Sequence, residues 1–359
     1  MIRFAWRIFG VLPALQEVGQ SILTLKSINW AQKLAPYRVA SNARAVFELA
    51  LTLFLFVALW VSAYLASYLH PWLAPLIAIP AAGFLVRLFM LQHDCGHMAL
   101  FQSKKVNDWV GRLLGVLTLT PYDYWRHSHA MHHATAGNLD RRGIGDIRTM
   151  TLAEYEKEGA WGRFFYRLYR NPIILFIIGP VYLFLLQHRL PPQTFAQGRA
   201  SWIGVLATNL GLVLLIGGLI ALFGWKAVLL VHLPIVMVGA AIGVWLFYVQ
   251  HQFDPTHWEH QDEWNVETAA LEGCSCYDLP KPLMWLTGNI GMHHLHHLSS
   301  RIPFYRLPQV LKDFPVLDEQ AHHLTFWQSL KCINLALWDE GAKKLISFRL
   351  AHKAMKAAA

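Results

Sequence analysis

Two stretches of sequence decide the fold: residues 47–69, FELALTLFLFVALWVSAYLASYL, and residues 72–92, WLAPLIAIPAAGFLVRLFMLQ. Each has about the 20 mostly apolar residues with which a helix crosses a bilayer. Residues 202–223 and 225–250 have the same length and character. The turns within each pair are short, so the sequence predicts four transmembrane helices arranged as two antiparallel hairpins.

The composition supports an all-α integral membrane protein. Apolar residues make up 55% of the 359 residues and charged residues 15%, and the mean hydropathy is +0.32. Soluble domains carry roughly 25% charged residues, so an ordinary soluble enzyme, a disordered chain and a fibrous chain are excluded. Four cysteines are too few for a disulfide scaffold. We expect a single membrane domain over residues 1–359, with interfacial helices and a helical cap around the spans.

A shorter apolar run, residues 172–187, contains Pro180. At ~1.5 Å per residue it is shorter than a ~30 Å hydrocarbon core. We interpret it as an interfacial or re-entrant helix. The alternative is a fifth span, which would invert the topology of everything after it.

The distribution of lysine and arginine predicts the orientation. Of 31 such residues, 29 lie in segments 1–46, 93–201 and 251–359, and one, Lys226, lies in a turn between paired spans. Because positive residues mark the cytoplasmic side, we expect these three segments to be cytoplasmic. The net charge of +9 then describes a basic inner face. No basic run carries a recognisable nucleic-acid module, so we expect no nucleic-acid partner.

The 19 histidines are concentrated in clusters. The sequence HDCGH at 93–97, directly after the second span, places two histidines at i and i+4. In HSHAMHH at 127–133 and again in HHLHH at 293–297, three histidines have the spacing i, i+3, i+4. One further histidine, His251, closes the fourth span. These spacings put the clustered imidazoles on one face of a helix, whereas His127 and His294 lie off that face.

An even number of spans lets these clusters meet on the cytoplasmic side, because the second and fourth spans exit there. Packed cationic imidazoles would repel each other, and buried neutral ones would each need a partner. Metal ions remove both difficulties by accepting the lone pairs. Eight or nine imidazoles suit two metal ions with open positions. The spacing alone does not select the metal.

The three clusters resemble the histidine boxes of the integral-membrane fatty-acid desaturases. The flanking sequences TAGNLDRRGIGD (135–146), FYVQHQF (247–253), TGNIG (287–291) and LSSRIP (298–303) are similar to those of bacterial acyl-lipid desaturases of the Δ12 (omega-6) type. The spacing of three residues between the histidines of the first box resembles that of the acyl-lipid Δ12/omega-3 branch.

The resemblance implies a di-iron enzyme that uses O₂ and two electrons to desaturate an acyl chain of a membrane lipid, here at the Δ12 position. An external donor, such as ferredoxin or a cytochrome b5-like protein with its reductase, would supply the electrons in a bacterial inner membrane. The implied iron ligands are His93, His97, His129, His132, His133, His251, His293, His296 and His297.

Four polar residues near the boxes are candidates to orient the ligand imidazoles through their other ring nitrogen. They are Asp94, Asp140, Asp146 and Asn289. Each has an alternative interpretation as a helix cap or loop residue. Arg87, inside the second span, is expected to extend toward the lipid headgroups, with contact to a substrate phosphate as the alternative.

Other functions remain possible on the same residues. An acyl-chain hydroxylase, or a desaturase of Δ9 or omega-3 regiospecificity, would share the ligand set. HDCGH also resembles the HExxH of a zinc protease, with Asp in place of Glu. A metal transporter is a further alternative, although its ligands would be expected near the bilayer midplane. We assign no function to the Cys274-x-Cys276 pair.

Overall fold

A computed structural model describes residues 28–70, 72–190 and 199–358. Residues 1–27, which belong to the predicted cytoplasmic segment 1–46, lie outside the described residues. The chain divides into two compact units, Met1–Pro36 and Tyr37–Ala359. The described part of the first contains helix α1 (Trp30–Lys33), whose first turn is capped by Asn29 Oδ1 accepting from the Gln32 amide at 3.0 Å. All further elements belong to the second unit.

Within the described residues, four helices are long and apolar enough to span a membrane, as predicted. They are α2 (Asn42–Leu69), α3 (Leu73–Gly96), α9 (Arg199–Phe223) and a fourth that runs from Trp225 to His251. The fourth consists of α10 (Trp225–Ala227), a π-helical turn (Val228–His232) and α11 (Leu233–His251). The predicted helical membrane protein is therefore confirmed.

Between the two pairs of spans, residues 97–190 contain five shorter helices: α4 (Lys104–Leu117), α5 (Tyr122–Thr135), α6 (Leu152–Lys157), α7 (Ala160–Tyr169) and α8 (Gly179–Leu185). A π-helical turn, Ile174–Ile178, leads into α8, and a 3₁₀ turn, Gln187–Arg189, follows it. The segment 174–189 is bent by 58° from α7. A bent pair of this kind fits a broken span or a re-entrant loop, so the interfacial helix and the fifth span both stay predictions.

The segment after the fourth span forms the rest of the cap. Its helices are α12 (Val266–Glu272), α13 (Lys281–Leu286), α14 (His293–Leu298), α15 (Leu307–Asp313), α16 (Val316–Glu319), α17 (Phe326–Cys332) and α18 (Phe348–Ala358). The described part of the chain also contains two small sheets, which the sequence did not predict and which connect distant segments. In one, β1 (Met150–Thr151) runs parallel to β4 (Leu337–Asp339), which pairs antiparallel with β5 (Lys344–Ile346). In the other, β2 (Ser275–Asp278) runs parallel to β3 (His322–Thr325).

The core between α2, α3 and the fourth span is built from small residues. Ala78, Ala81 and Ala82 are fully buried. A Cβ on Gly239 of α11 would lie 3.2 Å from Leu85 Cδ2, so glycine permits close approach of α3 and α11. Helix α3 ends within the first histidine box (box one, residues 93–97), and α11 ends at His251. Their close packing therefore brings these two helix ends together. Boxes two and three are residues 127–133 and 293–297.

Arg87 does not extend toward the headgroups, so that prediction was wrong. Its side chain is fully buried, with Nη2 2.5 Å from Glu48 Oε2 and Nε 3.2 Å from Thr52 Oγ1. Its Nη1 donates to the carbonyl of Trp285, and the guanidinium lies 4.0 Å from the centre of that indole ring. Partners are available within the protein, so the side chain has no need of water or phosphate.

Candidate metal centre

The structure brings all nine predicted ligands together in two groups. The first group is His93, His97, His129, His133 and His296, and the second is His132, His251, His293 and His297. Within each group one ring nitrogen per residue lies within 4.8 Å of every other. His127, which is exposed, and His294, which is buried, belong to neither group.

The two helical boxes divide their histidines between the groups in opposite ways. In box two, on α5, the i and i+4 members His129 and His133 join the first group and the i+3 member joins the second. In box three, on α14, the i and i+4 members His293 and His297 join the second group, and His296 joins the first. Each helix therefore presents a pair of imidazoles to one group and a single imidazole to the other.

The ring nitrogens converge at distances that suit shared ligation. In the first group His129 Nε2 lies 3.0 Å from Nε2 of both His93 and His97, and 3.1 Å from that of His133. In the second, the Nε2 atoms of His293 and His251 are 2.9 Å apart. Two nitrogens bound at right angles to one ion, each at about 2.1 Å, would lie about 3 Å apart.

Two ring nitrogens of the second group are free to bind a cation. The Nε2 atoms of His132 and His297 are buried and have no hydrogen-bond partner among the described residues. Buried polar atoms are normally satisfied. A metal ion inside the second group would accept both lone pairs.

The electrostatics favour neutral imidazoles. Burial, followed by the neighbouring imidazoles, holds the pKa of His97, His129 and His133 well below the ordinary value of 6.5. The same causes, in the same order, lower the pKa values of the box-three ligands: His293, His296 and His297. The rings are therefore neutral at pH 7, which is the form that binds metals.

Of the four residues predicted to orient the imidazoles, one contacts a ligand directly. Asp146 accepts a hydrogen bond from Nδ1 of His132, which leaves Nε2 as the ligand atom. The loop reaches this position through Gly145, which has a φ of +72° and whose added Cβ would lie 2.9 Å from the Ser128 carbonyl oxygen. Only glycine adopts this backbone without strain in that space.

The other three hydrogen-bond elsewhere. Asp94 lies 3.6 Å from His93 Nδ1, and its Oδ2 accepts from the backbone amide of Phe304 at 2.7 Å. Asn289 Nδ2 donates to the carbonyl of the same Phe304 at 3.1 Å. Asp94 thus fixes the segment after box three against box one, and Asn289 fixes it against the residues that precede box three. Asp140 accepts from His260 Nδ1 at 2.8 Å, and no box histidine is among its hydrogen-bond partners in the described chain.

Several supporting residues were missed by the sequence analysis. Trp125 stacks on His129 with ring centres 4.6 Å apart, and a Cβ on Gly96 would lie 2.8 Å from that indole. Tyr122 donates its hydroxyl to the Cys95 carbonyl at 2.9 Å. An aromatic four residues before a box histidine shares its helix face, so Trp125 was detectable, whereas the contact to Cys95 required the fold.

A cavity of about 540 Å³ opens beside the second group. His132, His251 and Phe247 are among the residues that line it. Its lining also carries charged residues of both signs, including Asp140, Arg142, Asp146, Arg148 and Glu154. The second group thus borders a cavity in the cap whose lining is partly charged.

The comparison with known proteins agrees with this geometry. A family model described as fatty acid desaturase matches residues 70–329. The chain belongs to the fatty acid desaturase family. A fatty acid desaturase of Bacillus subtilis is 45% identical over 273 residues, which cover 76% of this chain and 77% of that protein. This desaturase is therefore an oxidoreductase of lipid metabolism.

Two relatives from Synechocystis sp. carry more specific names. One, named sn-1 acyl-lipid omega-3 desaturase (ferredoxin), is 31% identical over 257 residues, or 67% of this chain and 68% of that protein. The other, named sn-1 oleoyl-lipid 12-desaturase, is 26% identical over 232 residues, or 62% and 63%. Both regiospecificities therefore occur among the relatives. The zinc-protease and transporter alternatives are excluded by membership of the family.

Proposed function

We propose that this desaturase binds two iron ions through the nine grouped histidines and introduces a second double bond, at the Δ12 (omega-6) position, into an acyl chain of a membrane lipid. The observation that carries the proposal is the convergence of nine imidazoles into two adjacent groups where α3 and α11 end. O₂ and two electrons from an external donor complete the reaction.

The donor set suits iron. It contains only imidazole nitrogens, which suit iron, zinc, copper and nickel alike. Desaturation is an oxidation, and zinc has no redox chemistry. Bound iron would supply the oxidising chemistry that removes two hydrogens from an unactivated methylene pair, which no side-chain base can deprotonate.

The protein's own residues hold and shield this site. Asp146 keeps the proton of His132 on Nδ1, so that Nε2 faces the second group. Trp125 covers the ring of His129 on the side of α5. Because the centre lies where α3 and α11 end, we expect it near one surface of the bilayer, where an acyl chain would enter from the lipid and electrons would arrive from water.

Metal content and product analysis test the proposal. We expect two irons per chain in the purified protein and their loss in His132→Ala. Expression in a host without polyunsaturated lipids should produce a diene with its new double bond at carbon 12. A new double bond at another carbon, such as the omega-3 position, would refute the regiospecificity alone, and gain of an oxygen atom would indicate a hydroxylase. Active protein without iron would refute the centre.

We further propose that the cap faces the cytoplasm of a bacterial cell and receives electrons from an acidic donor such as a ferredoxin or a cytochrome b5-like protein. The printed name of one Synechocystis relative includes ferredoxin, and 29 of the 31 lysines and arginines lie in the segments predicted to face the cytoplasm. Complementary charge accelerates encounter at low salt. Reduction rates that stay constant from low to high ionic strength would contradict this docking mode.

A further inference from the structure

A third cluster of metal-binding side chains lies on the sheet β2–β3, outside both histidine groups. One ligand atom each of Cys276, Asp318 and His323 lie within 4.8 Å of one another. The parallel register pairs Cys276 with His323, and Asp318 precedes β3. Asp278 follows Cys276 by two residues, so it projects from the same face of β2.

The hydrogen bonds of His323 indicate that its imidazole either carries a positive charge or binds a cation. His323 Nδ1 lies 2.9 Å from Asp278 Oδ1. His323 Nε2 lies 2.9 Å from the backbone carbonyl oxygen of Asp318 and 3.7 Å from the side-chain Oδ1 of Asp318. Because both ring nitrogens face oxygen acceptors, the ring needs either two protons or one proton and a cation at Nε2. Metal-bound histidines typically donate their other nitrogen to a carboxylate, which is the position that Asp278 occupies.

The cysteine is buried in the cluster. Cys276 is 4% exposed, and its Sγ lies 3.9 Å from Asp278 Oδ1. Burial, together with Asp278 and Asp318, raises the pKa of this thiol to about 12. A thiol beside two carboxylates and an imidazole gains a strong partner only when a cation replaces its proton.

We propose that Cys276, Asp318 and His323 form a structural zinc site, with Asp278 orienting His323. Zinc accepts sulfur, nitrogen and oxygen ligands together in a tetrahedral arrangement. Calcium and magnesium prefer oxygen ligands alone, so a site that includes a thiolate selects against them.

Zinc at this site would stabilise the segment that leads into box three. Cys276 forms an isolated β-bridge with Met292, and the Tyr277 amide donates to the Gly291 carbonyl at 2.7 Å. Met292 directly precedes the first histidine of box three. Zinc bound between β2 and β3 would therefore hold the strand that pairs with the residue just before α14, without touching either histidine group.

Zinc content in matched variants of the full chain tests the proposal. Cys276→Ser should lose one equivalent of zinc relative to the unmodified protein, measured by mass spectrometry of the purified chain. Cys332→Ser is the control because Cys332 is also buried but lies outside the cluster. Equal zinc in all three proteins would overturn the proposal, and so would equal loss in both variants.

The absorption spectrum of the cobalt-substituted protein distinguishes this site from the histidine groups. Cobalt bound at Cys276 should show a thiolate-to-metal charge-transfer band, whereas imidazole ligands give none. The band should disappear in Cys276→Ser and persist in Cys332→Ser. A band that survives in Cys276→Ser would assign it to another cysteine and overturn the site.

A second pair of variants tests whether loss of zinc results from misfolding. His323→Ala should lose the zinc, whereas His322→Ala should retain it, because His322 lies on the opposite face of β3 and contacts the ring of Phe253. Retained iron in both variants would show that the histidine groups remain folded. Zinc loss with iron retained supports the site independently of the proposed reaction, and equal zinc in the two variants contradicts it.

Discussion

Glu48→Leu should destabilise this desaturase more than Arg87→Met, although the two side chains form one ion pair. Arg87 is fully buried, with Nη2 2.5 Å from Glu48 Oε2. Glu48 has a second partner, Arg44, at 2.6 Å, whose side chain is half-exposed. Loss of Glu48 therefore leaves an unpaired cation inside a span, whereas loss of Arg87 leaves a carboxylate that is still paired.

The magnitudes follow from this asymmetry. At 2.5 Å and an effective dielectric constant of about 20, the attraction between the charges is about 7 kcal/mol, and desolvation costs several kcal/mol for each ion. Breaking a buried pair from one side costs about 3–5 kcal/mol, which we expect for Glu48→Leu. Arg87→Met should cost about 1–3 kcal/mol, mainly because the Trp285 carbonyl loses its donor.

The assay is equilibrium unfolding in mixed micelles, with two further variants. The double variant Glu48→Leu/Arg87→Met should be more stable than Glu48→Leu alone, because it contains no unpaired charge. Arg44→Met should cost less than about 1 kcal/mol, since its side chain is half-exposed. An effect of Arg87→Met equal to or larger than that of Glu48→Leu would refute the reasoning, and so would simple additivity in the double variant.

Three further predictions concern the site and the cap. Asp146→Asn should lower iron retention or activity by about 10–100-fold, because it weakens the hydrogen bond that orients His132. Asp140→Asn is the control: Asp140 lines the same cavity but hydrogen-bonds to His260, so its replacement should change iron retention and activity little. His296→Ala should abolish turnover, whereas His294→Ala, outside both groups, should keep its iron; equal iron loss would contradict the assignment. Hydrogen bonds to Asp140 and Glu340 raise the pKa of His260, so its stabilising effect should be complete below about pH 6.5 and lost as the pH rises through the raised value. Thermal midpoints of the unmodified protein and His260→Gln should therefore differ at about pH 6 and converge at about pH 9; a constant difference would contradict this role.

The spans were predictable because crossing a bilayer requires about 20 consecutive, mostly apolar residues. Their ends were not predictable to the residue. Helix α2 begins at Asn42 rather than at 47, since the Ser41 hydroxyl accepts from the Arg44 amide and caps the first turn. Helix α3 continues to Gly96 rather than ending at 92, since box one extends it. Hydropathy reports the apolar part of a helix, whereas hydrogen bonding determines where the helix stops.

The convergence of the nine histidines was predictable, but their division into two groups was not. Spacing places His129, His132 and His133 on one helical face, and that face is wide enough to meet two metal ions. Which imidazole joins which group depends on how α5 and α14 cross, and crossing angles are set by packing between segments that are far apart in sequence. The sequence therefore indicated two metals without indicating their separate ligands.

The error over Arg87 shows what a residue-by-residue interpretation leaves out. Extension toward the headgroups was argued from this residue alone, but an antiparallel hairpin places residues of two spans at the same depth. Glu48 lies near the start of α2 and Arg87 near the end of α3, so a hairpin brings them to similar depths at about 1.5 Å per residue. Opposite charges at matching depths of paired spans predict an internal ion pair, because pairing is the alternative to hydration inside a membrane. That signal was present in the sequence, whereas the contact between Arg87 and Trp285, 198 residues apart, required the folded cap.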